Sequence, residues 1–121
     1  MATRLAGVLQ ELQESNGLDM AAVVTSDGLV VDAAGTEQID VESICSVASN
    51  GLLMMEAVGQ ELGEAQAEVT TLEYTNHIVV MSPLDSEHLL VLLAGVGMNL
   101  GRLRIILRRR RDDLIGLLQE N

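Results

Sequence analysis

Two β-branched apolar runs between Met20 and Gly35 meet across Ser26-Asp27-Gly28, and this is the strongest local pattern in the chain. An Asp-Gly pair between apolar runs predicts a β-hairpin, because glycine adopts a positive φ without steric cost. Two strands alone are too few to be stable in water. The pattern therefore predicts further strands, with helices packed over a face of the sheet.

Three stretches show the spacing of apolar residues that is typical of amphipathic helices. The predicted helices cover residues 3–15, 41–62 and 99–118. The middle one is expected to be a single helix of about six turns. Their candidate caps and stops are Thr3, Asn16-Gly17, Asp40 and Gly63.

Three further runs predict strands at residues 67–74, 77–82 and 88–94, joined by short turns that favour an antiparallel meander. The run 88–94 is almost wholly aliphatic, so we expect it at the centre of the sheet. The run 67–74 contains Glu68, Glu73 and several threonines, so we expect it at an edge. Its unpaired backbone groups would then be open to another chain.

These elements predict one α/β (α+β) sandwich domain over residues 1–121, in the order α-β-β-α-β-β-β-α. The five-stranded antiparallel sheet would carry the long helix on one face and the other two helices on the opposite face.

A second apolar set on the long helix, Val47, Met54 and Val58, makes its apolar surface wider than one sheet contact requires. A helix apolar over so much of its circumference is buried on more than one side. The small mid-helix residues Ser46, Ser49, Asn50 and Gly51 would let a second helix approach closely. A second subunit would cover this surface; alternatively, the three side chains lie at the rim of the domain's own core.

Composition narrows the classes of partner. The net charge of −11 and the pI near 4.3 argue against nucleic acid binding. All cations are arginines, and six of the seven lie between Arg102 and Arg111. The longest apolar run, residues 89–96, is too short to span a membrane. With a single cysteine and no secretory signal pattern, the chain is expected to be cytoplasmic.

Several motifs resemble catalytic or cofactor sites but fit them poorly. Gly95, Gly97 and Gly101 follow a strand and open a helix, yet the last gap is one residue too long for the dinucleotide fingerprint. We interpret them as a tight turn. The chain contains no lysine, which excludes a P-loop and Schiff-base chemistry.

The triad-like set Ser82, Asp85 and His88 is better explained by turn chemistry. His77 and His88 lack partners at metal-ligand spacing, and Cys45 is expected to be a core residue. We therefore expect no catalytic residue, cofactor or metal.

The run Arg108 to Arg111 invites comparison with the arginine finger of a GTPase activator, which is worth about a thousandfold or more in rate. Such fingers normally project from loops, whereas this run lies on a predicted helix. Asp112 and Asp113 are at spacings that allow local pairing. We favour a salt-bridged helix face, in which Arg110 or Arg111 extends along the core rim. A role at a membrane surface is a third interpretation.

These elements and their order resemble the Roadblock/LC7 domain family, in its bacterial and archaeal stand-alone form, over essentially the whole chain. The resemblance is carried by the first helix ending in Asn16-Gly17, the hairpin 21–31 and the aliphatic strand before the last helix. It implies a fold similar to profilin and longin domains. It also implies a homodimer in which the long helices pack together and the third strands join two sheets.

The resemblance further implies a partner, a small Ras-like GTPase that meets the face carrying the long helices. We therefore expect a non-enzymatic, homodimeric regulator or scaffold. The expected dimer interface consists of Val47, Asn50, Gly51, Met54, Val58, Glu68, Thr70 and Leu72. The expected GTPase contacts are Glu42, Ser46, Ser49, Asn50 and Glu56. The alternatives are a profilin-like domain that senses a small ligand and an assembly adaptor without effect on a GTPase.

Overall fold

The computed structural model describes residues 4–64 and 67–120, so the candidate cap Thr3 lies outside the described residues. The elements in chain order are α1 (Arg4–Ser15), β1 (Met20–Thr25), β2 (Val30–Gly35), α2 (Val41–Ala48), α3 (Asn50–Leu62), β3 (Thr70–Glu73), β4 (His77–Pro83), β5 (His88–Gly95) and α4 (Leu100–Leu118).

The five strands form one antiparallel sheet in the order β2-β1-β5-β4-β3. β5 lies at the centre and residues 89–94 are all buried, as the aliphatic run predicts. β3 pairs with β4 alone and β2 with β1 alone, so within the described chain each has one unpaired edge.

Each face of the sheet carries its own apolar core, because successive side chains of a strand point to opposite faces. Ala21 and Val23 of β1 pack with leucines of α1 and α4. Ala22 and Val24 pack on the other face with α2 and α3, around Leu52. The predicted sandwich, with two helices on one face and the long helical segment on the other, is confirmed.

The β1–β2 hairpin turns through Gly28, as predicted. The Thr25 N–H donates to Leu29 O at 2.8 Å, the Gly28 N–H donates to Thr25 O at 3.0 Å, and Gly28 has a φ of 91°. This pattern is a three-residue loop that ends in a left-handed glycine. The turn also packs closely against α2, since a Cβ at Gly28 would lie 3.2 Å from Ser49 Oγ.

The predicted helix 41–62 has the expected extent but is interrupted at Ser49. Ser49 keeps right-handed helical angles, but its carbonyl accepts from the Leu52 N–H at 3.2 Å, one residue earlier than in an α-helix. The Ser49 hydroxyl donates to Ser46 O at 2.8 Å. A hydroxyl bonded to the preceding turn competes with the helical ladder, and here α2 ends and α3 begins.

The predicted edge strand 67–74 is wrong in its bounds, because the observed ladder spans only Thr70–Glu73. Before the strand, the carbonyl of Glu68 accepts the Ser82 hydroxyl at 2.8 Å instead of a backbone donor. After it, the Tyr74 N–H donates to His77 O at 2.8 Å and closes the turn to β4. The edge position itself is confirmed.

The helix ends follow the predicted signals. Asp40 caps α2, where its carboxylate accepts the Ser43 N–H at 3.2 Å and the Ser43 hydroxyl at 2.9 Å. These two donors lower the pKa of Asp40. Gly63 ends α3 with a φ of 70°. Among residues 4–64 and 67–120, no helix is both long and apolar enough to cross a membrane.

Candidate functional site

The outer side of α2 and α3 is apolar and exposed. Val47 is 71% exposed, Met54 54% and Val58 53%. Leu53 and Leu62 on α3 are exposed as well. Large aliphatic side chains grouped in this way expose a contiguous patch, which is unusual for a protein that stays monomeric in water.

A groove of about 910 Å³ separates this helical surface from the β3–β4 edge of the sheet. Its lining includes Ile44, Val47, Gly51, Met54, Leu72 and Tyr74. Gly51 packs closely against the sheet, because a Cβ there would lie 3.2 Å from the Met81 side chain. A smaller hollow of about 340 Å³ continues past Met54 toward Val58, Leu62 and Thr70.

β3 borders the groove and presents an open edge. Its register with β4 is regular from Thr70 opposite Met81 to Glu73 opposite Ile78. Leu72 and Tyr74 are exposed beside it, and the Thr71 hydroxyl is buried without a hydrogen-bond partner in the described part of the chain. β2, the other edge strand, carries an irregularity opposite Val23 and Val24. Irregularities of this kind protect an edge from pairing, so β3 is the better-suited edge.

The expected interface residues come together on this side of the molecule, with one exception. Val47, Asn50, Gly51, Met54 and Leu72 line the groove, and Val58 and Thr70 line the smaller hollow. Glu68 is exposed but lines neither.

Sequence reasoning missed Leu53, Leu62 and Tyr74. The signal for Tyr74 was available, since the only aromatic residue lies at the end of the edge strand.

The expected GTPase contacts are not equally accessible. Glu42 and Ser46 are exposed and Glu56 is half-buried. The placement of Ser49 on the exposed face is wrong, because Ser49 is only 4% exposed. It lies against the Gly28 turn, with its hydroxyl committed to Ser46 O. Helical periodicity could not reveal this contact, since it depends on where the hairpin packs.

Ser82, Asp85 and His88 do not assemble as a triad. The Ser82 hydroxyl donates to the Glu68 carbonyl, while His88 Nδ1 lies 2.9 and 3.0 Å from the Asp85 carboxylate oxygens. Burial alone would raise the pKa of Asp85, but the Glu87 N–H and the His88 ring outweigh it and lower that pKa. The set stabilises a turn, as the sequence suggested.

Cys45 lies in the core between the sheet and α2, as predicted, and is fully buried. Burial raises the pKa of its thiol to about 11, so the nucleophilic thiolate is disfavoured. No cluster of three or more potential metal ligands occurs among the described residues.

The predicted local pairing of the arginine run is wrong. Arg110 pairs with Glu11 of α1, and Arg4 pairs with Glu120 at 2.7 Å. Asp112 and Asp113 form no ion pair within the described residues. Arg110 and Arg111 are half-buried along the core rim, as expected. The Arg110–Glu11 pair thus links α4 to α1, and the Arg4–Glu120 pair links α1 to the segment that follows α4.

Comparison with known proteins identifies relatives over most of the chain. The model of the Roadblock/LC7 domain matches residues 5–94. An uncharacterized protein of Methanocaldococcus jannaschii is 31% identical over 107 residues, which cover 88% of this chain and 93% of that protein. The resemblance inferred from the element order is thereby confirmed.

Solved structures confirm the fold. Myxococcus xanthus MglB superposes with a TM-score of 0.85 at 23% identity, covering 98% of each chain. Profilin II of Acanthamoeba castellanii gives a TM-score of 0.55 at 14% identity, covering 89% of this chain and 97% of that one. The expected profilin-like arrangement of sheet and helices is therefore observed.

Proposed function

The chain belongs to the Roadblock/LC7 family, and from that premise we propose that it is a homodimeric regulatory or scaffold protein that binds a small Ras-like GTPase in signalling. The observation that carries the proposal is the apolar surface of α2 and α3 beside the open β3 edge. The family resemblance implies a dimer contact and a GTPase contact on the side that carries the long helical segment, and this exposed apolar surface supports that expectation.

The dimer is supported by two features that one partner would cover at once. Val47, Met54 and Val58 lose exposure if a second helix packs on α2 and α3, and burying a side chain of this size contributes about 1.5–3 kcal/mol. The β3 edge supplies backbone donors and acceptors with no protein partner in the described chain. Pairing two β3 strands would join two sheets into one.

The GTPase contact is assigned to polar residues on the same helical segment. Glu42 and Ser46 are exposed there and Glu56 is half-buried, whereas the burial of Ser49 removes it from the set. The carboxylates suit a partner surface that carries cations. Regulation would operate through differential contacts with the switch loops of the GTPase, which shift the population of its conformations. The protein itself would not be an enzyme.

Nucleotide-dependent capture tests this proposal. We expect the immobilised chain to retain a Ras-like GTPase from the same genome more strongly with one of GTP and GDP bound than with the other. Glu42→Lys should weaken capture by about tenfold, because it reverses a charge at the contact. Glu14→Lys is the matched control, since it makes the same change on exposed α1, on the opposite face.

Three results would count against the proposed regulator. Equal capture with both nucleotides would indicate an assembly adaptor. Capture that Glu42→Lys and Glu14→Lys reduce equally would place the contact elsewhere, and no capture at all would remove the GTPase from the proposal.

The groove favours one further candidate, a small apolar ligand bound between α2 and β3. Its volume of about 910 Å³ is within the range of small-molecule sites, and its lining is mostly aliphatic. A ligand there would compete with the dimer for Met54 and Leu72. Calorimetry with the dimeric protein separates the two, because a filled dimer interface leaves no groove for the ligand.

A further inference from the structure

In the fold, the arginines are confined to one face of the sheet. The chain has no lysine, and all seven arginines lie on α1 or α4, which share one face of the sheet. On the other face, α2 and α3 carry glutamates and no arginine. The net charge of −11 therefore describes the whole chain but not the surface formed by α4.

Four arginines of α4 are free to meet a partner. Arg102, Arg104, Arg108 and Arg109 are exposed, and their side chains make no ion pair or hydrogen bond within residues 4–64 and 67–120. Asp112 and Asp113 lie four residues after Arg108 and Arg109, respectively, but they form no ion pair with them among the described residues, and two aspartates offset only half of the four arginine charges.

Helical spacing gathers these residues on one side. Arg104 and Arg108 are four residues apart, and Arg102 and Arg109 flank Ile105 at steps of three and four. The inward side of the same helix buries Leu103, Leu107 and Leu114. Ile105 is 52% exposed among the arginines. We name the set Arg102, Arg104, Ile105, Arg108 and Arg109 the α4 arginine face.

We propose that the α4 arginine face docks the protein peripherally onto an anionic lipid surface. The guanidinium group presents a planar fork of donors that matches a phosphate oxygen pair, and all cations here are arginine. Ile105 projects among them, where it can enter the headgroup layer. Docking adds no membrane span, in agreement with the absence of a suitable helix among the described residues.

The acidic remainder of the chain does not prevent this docking. Charges interact over a Debye length of about 8 Å at physiological salt. On the α4 side, Glu11 and Glu120 are paired with Arg110 and Arg4, and the four exposed arginines of α4 outnumber its two exposed aspartates, Asp112 and Asp113. The acids of α2 and α3 lie on the other face, with the sheet between them and the α4 arginine face. Their repulsion of an anionic surface is therefore screened, while the arginines are in direct contact with it.

Lipid fits the face better than nucleic acid does. Binding to single strands relies on aromatic side chains that stack on bases, but the only aromatic residue, Tyr74, lies beside β3. A single exposed isoleucine among arginines suits the boundary between headgroups and acyl chains.

The inference goes beyond the proposed function and does not require it. If the proposed dimer forms, its geometry strengthens the docking. α1 covers β1 and β2 and contacts α4, so α4 lies toward the β3 side of the same face. Joining two sheets at β3 would place both α4 arginine faces on one side of the dimer, where they would bind one surface together.

Vesicle flotation tests the proposal with the full chain. At about 0.1 M salt, we expect the chain to float with vesicles that contain phosphatidylglycerol and not with vesicles of phosphatidylcholine alone. At about 1 M salt the Debye length falls to about 3 Å, so the chain should be released from the anionic vesicles. Arg104→Gln with Arg108→Gln should lower the partition coefficient by about thirtyfold, since each basic residue at such a surface contributes roughly a fivefold factor.

A matched control removes the same net charge from other parts of the surface. Gln38→Glu with Gln60→Glu changes two exposed positions outside α1 and α4, and should partition like the unmodified chain. Circular dichroism confirms that both variants are folded. Arg104→Lys with Arg108→Lys keeps the charge and should retain binding above the glutamine variant.

Four results would overturn the proposal. They are no flotation of the unmodified chain with anionic vesicles, binding that salt does not weaken, equal loss in the glutamine variant and the control, and preferential binding to duplex DNA at equal phosphate concentration. Loss of GTPase capture with intact flotation would refute the proposed function alone.

Discussion

Cys45 shows how burial changes the chemistry of one residue. It is fully buried against the sheet, and burial, which disfavours the charged thiolate, raises the pKa of its thiol to about 11. The chain has no lysine, and its single tyrosine, Tyr74, is exposed. Among the described residues, Cys45 is therefore a buried group whose ionisation at alkaline pH differs between the folded and unfolded chain.

Stability should consequently fall at alkaline pH. The raised pKa means that the contribution of Cys45 is fully present below pH 9 and is lost as the pH rises through about 11, because the unfolded chain ionises first. We expect the free energy of unfolding to drop by about 2 kcal/mol near pH 10.5. Urea unfolding at several pH values and constant protein concentration measures this drop in the free energy of unfolding. Cys45→Ala should abolish most of the drop; an equal drop in the variant would contradict the assignment.

At the scale of elements, local signals determine where the helices begin and end, whereas a tertiary contact coincides with the break in the predicted helix 41–62. Asn99, which the sequence placed at the start of the last helix, caps α4, where its side-chain oxygen accepts the Arg102 N–H at 3.1 Å. Gly63 likewise ends α3. By contrast, the break at Ser49 coincides with the position where the Gly28 turn packs against the helix. The spacing of apolar residues along the helix carries no information about such a contact.

The cap of α4 gives a prediction at this scale. Asn99→Ala should lower the free energy of unfolding by about 1 kcal/mol, because the Arg102 N–H loses its acceptor. Asn99→Asp, which keeps an acceptor oxygen, should restore most of the loss. Urea unfolding of the three proteins measures the difference, and equal destabilisation by both substitutions would show that the cap is not responsible.

At the scale of the whole molecule, apolar surface is distributed unequally. α2 and α3 expose several large aliphatic side chains beside a groove, whereas α4 exposes Ile105 among arginines. The two faces are therefore suited to different partners, an apolar one on the α2–α3 side and an anionic one on the α4 side. This division supports both proposals independently.

The dimer can be tested with a matched pair of substitutions. Met54→Asp should dissociate it, raising the dissociation constant at least a hundredfold, or about 3 kcal/mol, because an unpaired carboxylate would be buried. Ile105→Asp is the control, since Ile105 is exposed to a similar degree on the opposite face. Sedimentation at micromolar protein concentration measures the oligomeric state of the unmodified chain and of both variants. A monomeric unmodified chain, or dissociation by Ile105→Asp, would refute the proposed interface.

Local patterns were sufficient for most of the fold. The hairpin at Gly28, the cap at Asp40, the stop at Gly63 and the central position of β5 all follow from turn chemistry, capping and aliphatic runs. These signals act between residues close in sequence. The excess apolar set on the long helix was also visible, but periodicity left open whether it was core rim or interface.

Only the tertiary structure decided which of these residues are accessible and which charges meet. Ser49 is buried by a turn from another part of the chain, and Arg110 pairs with Glu11, 99 residues away, instead of with the neighbouring aspartates. The sequence by itself determined the elements and the apolar excess, because both depend on local spacing. The grouping of free arginines on one face and apolar residues on the other depends on long-range packing, which places distant segments side by side.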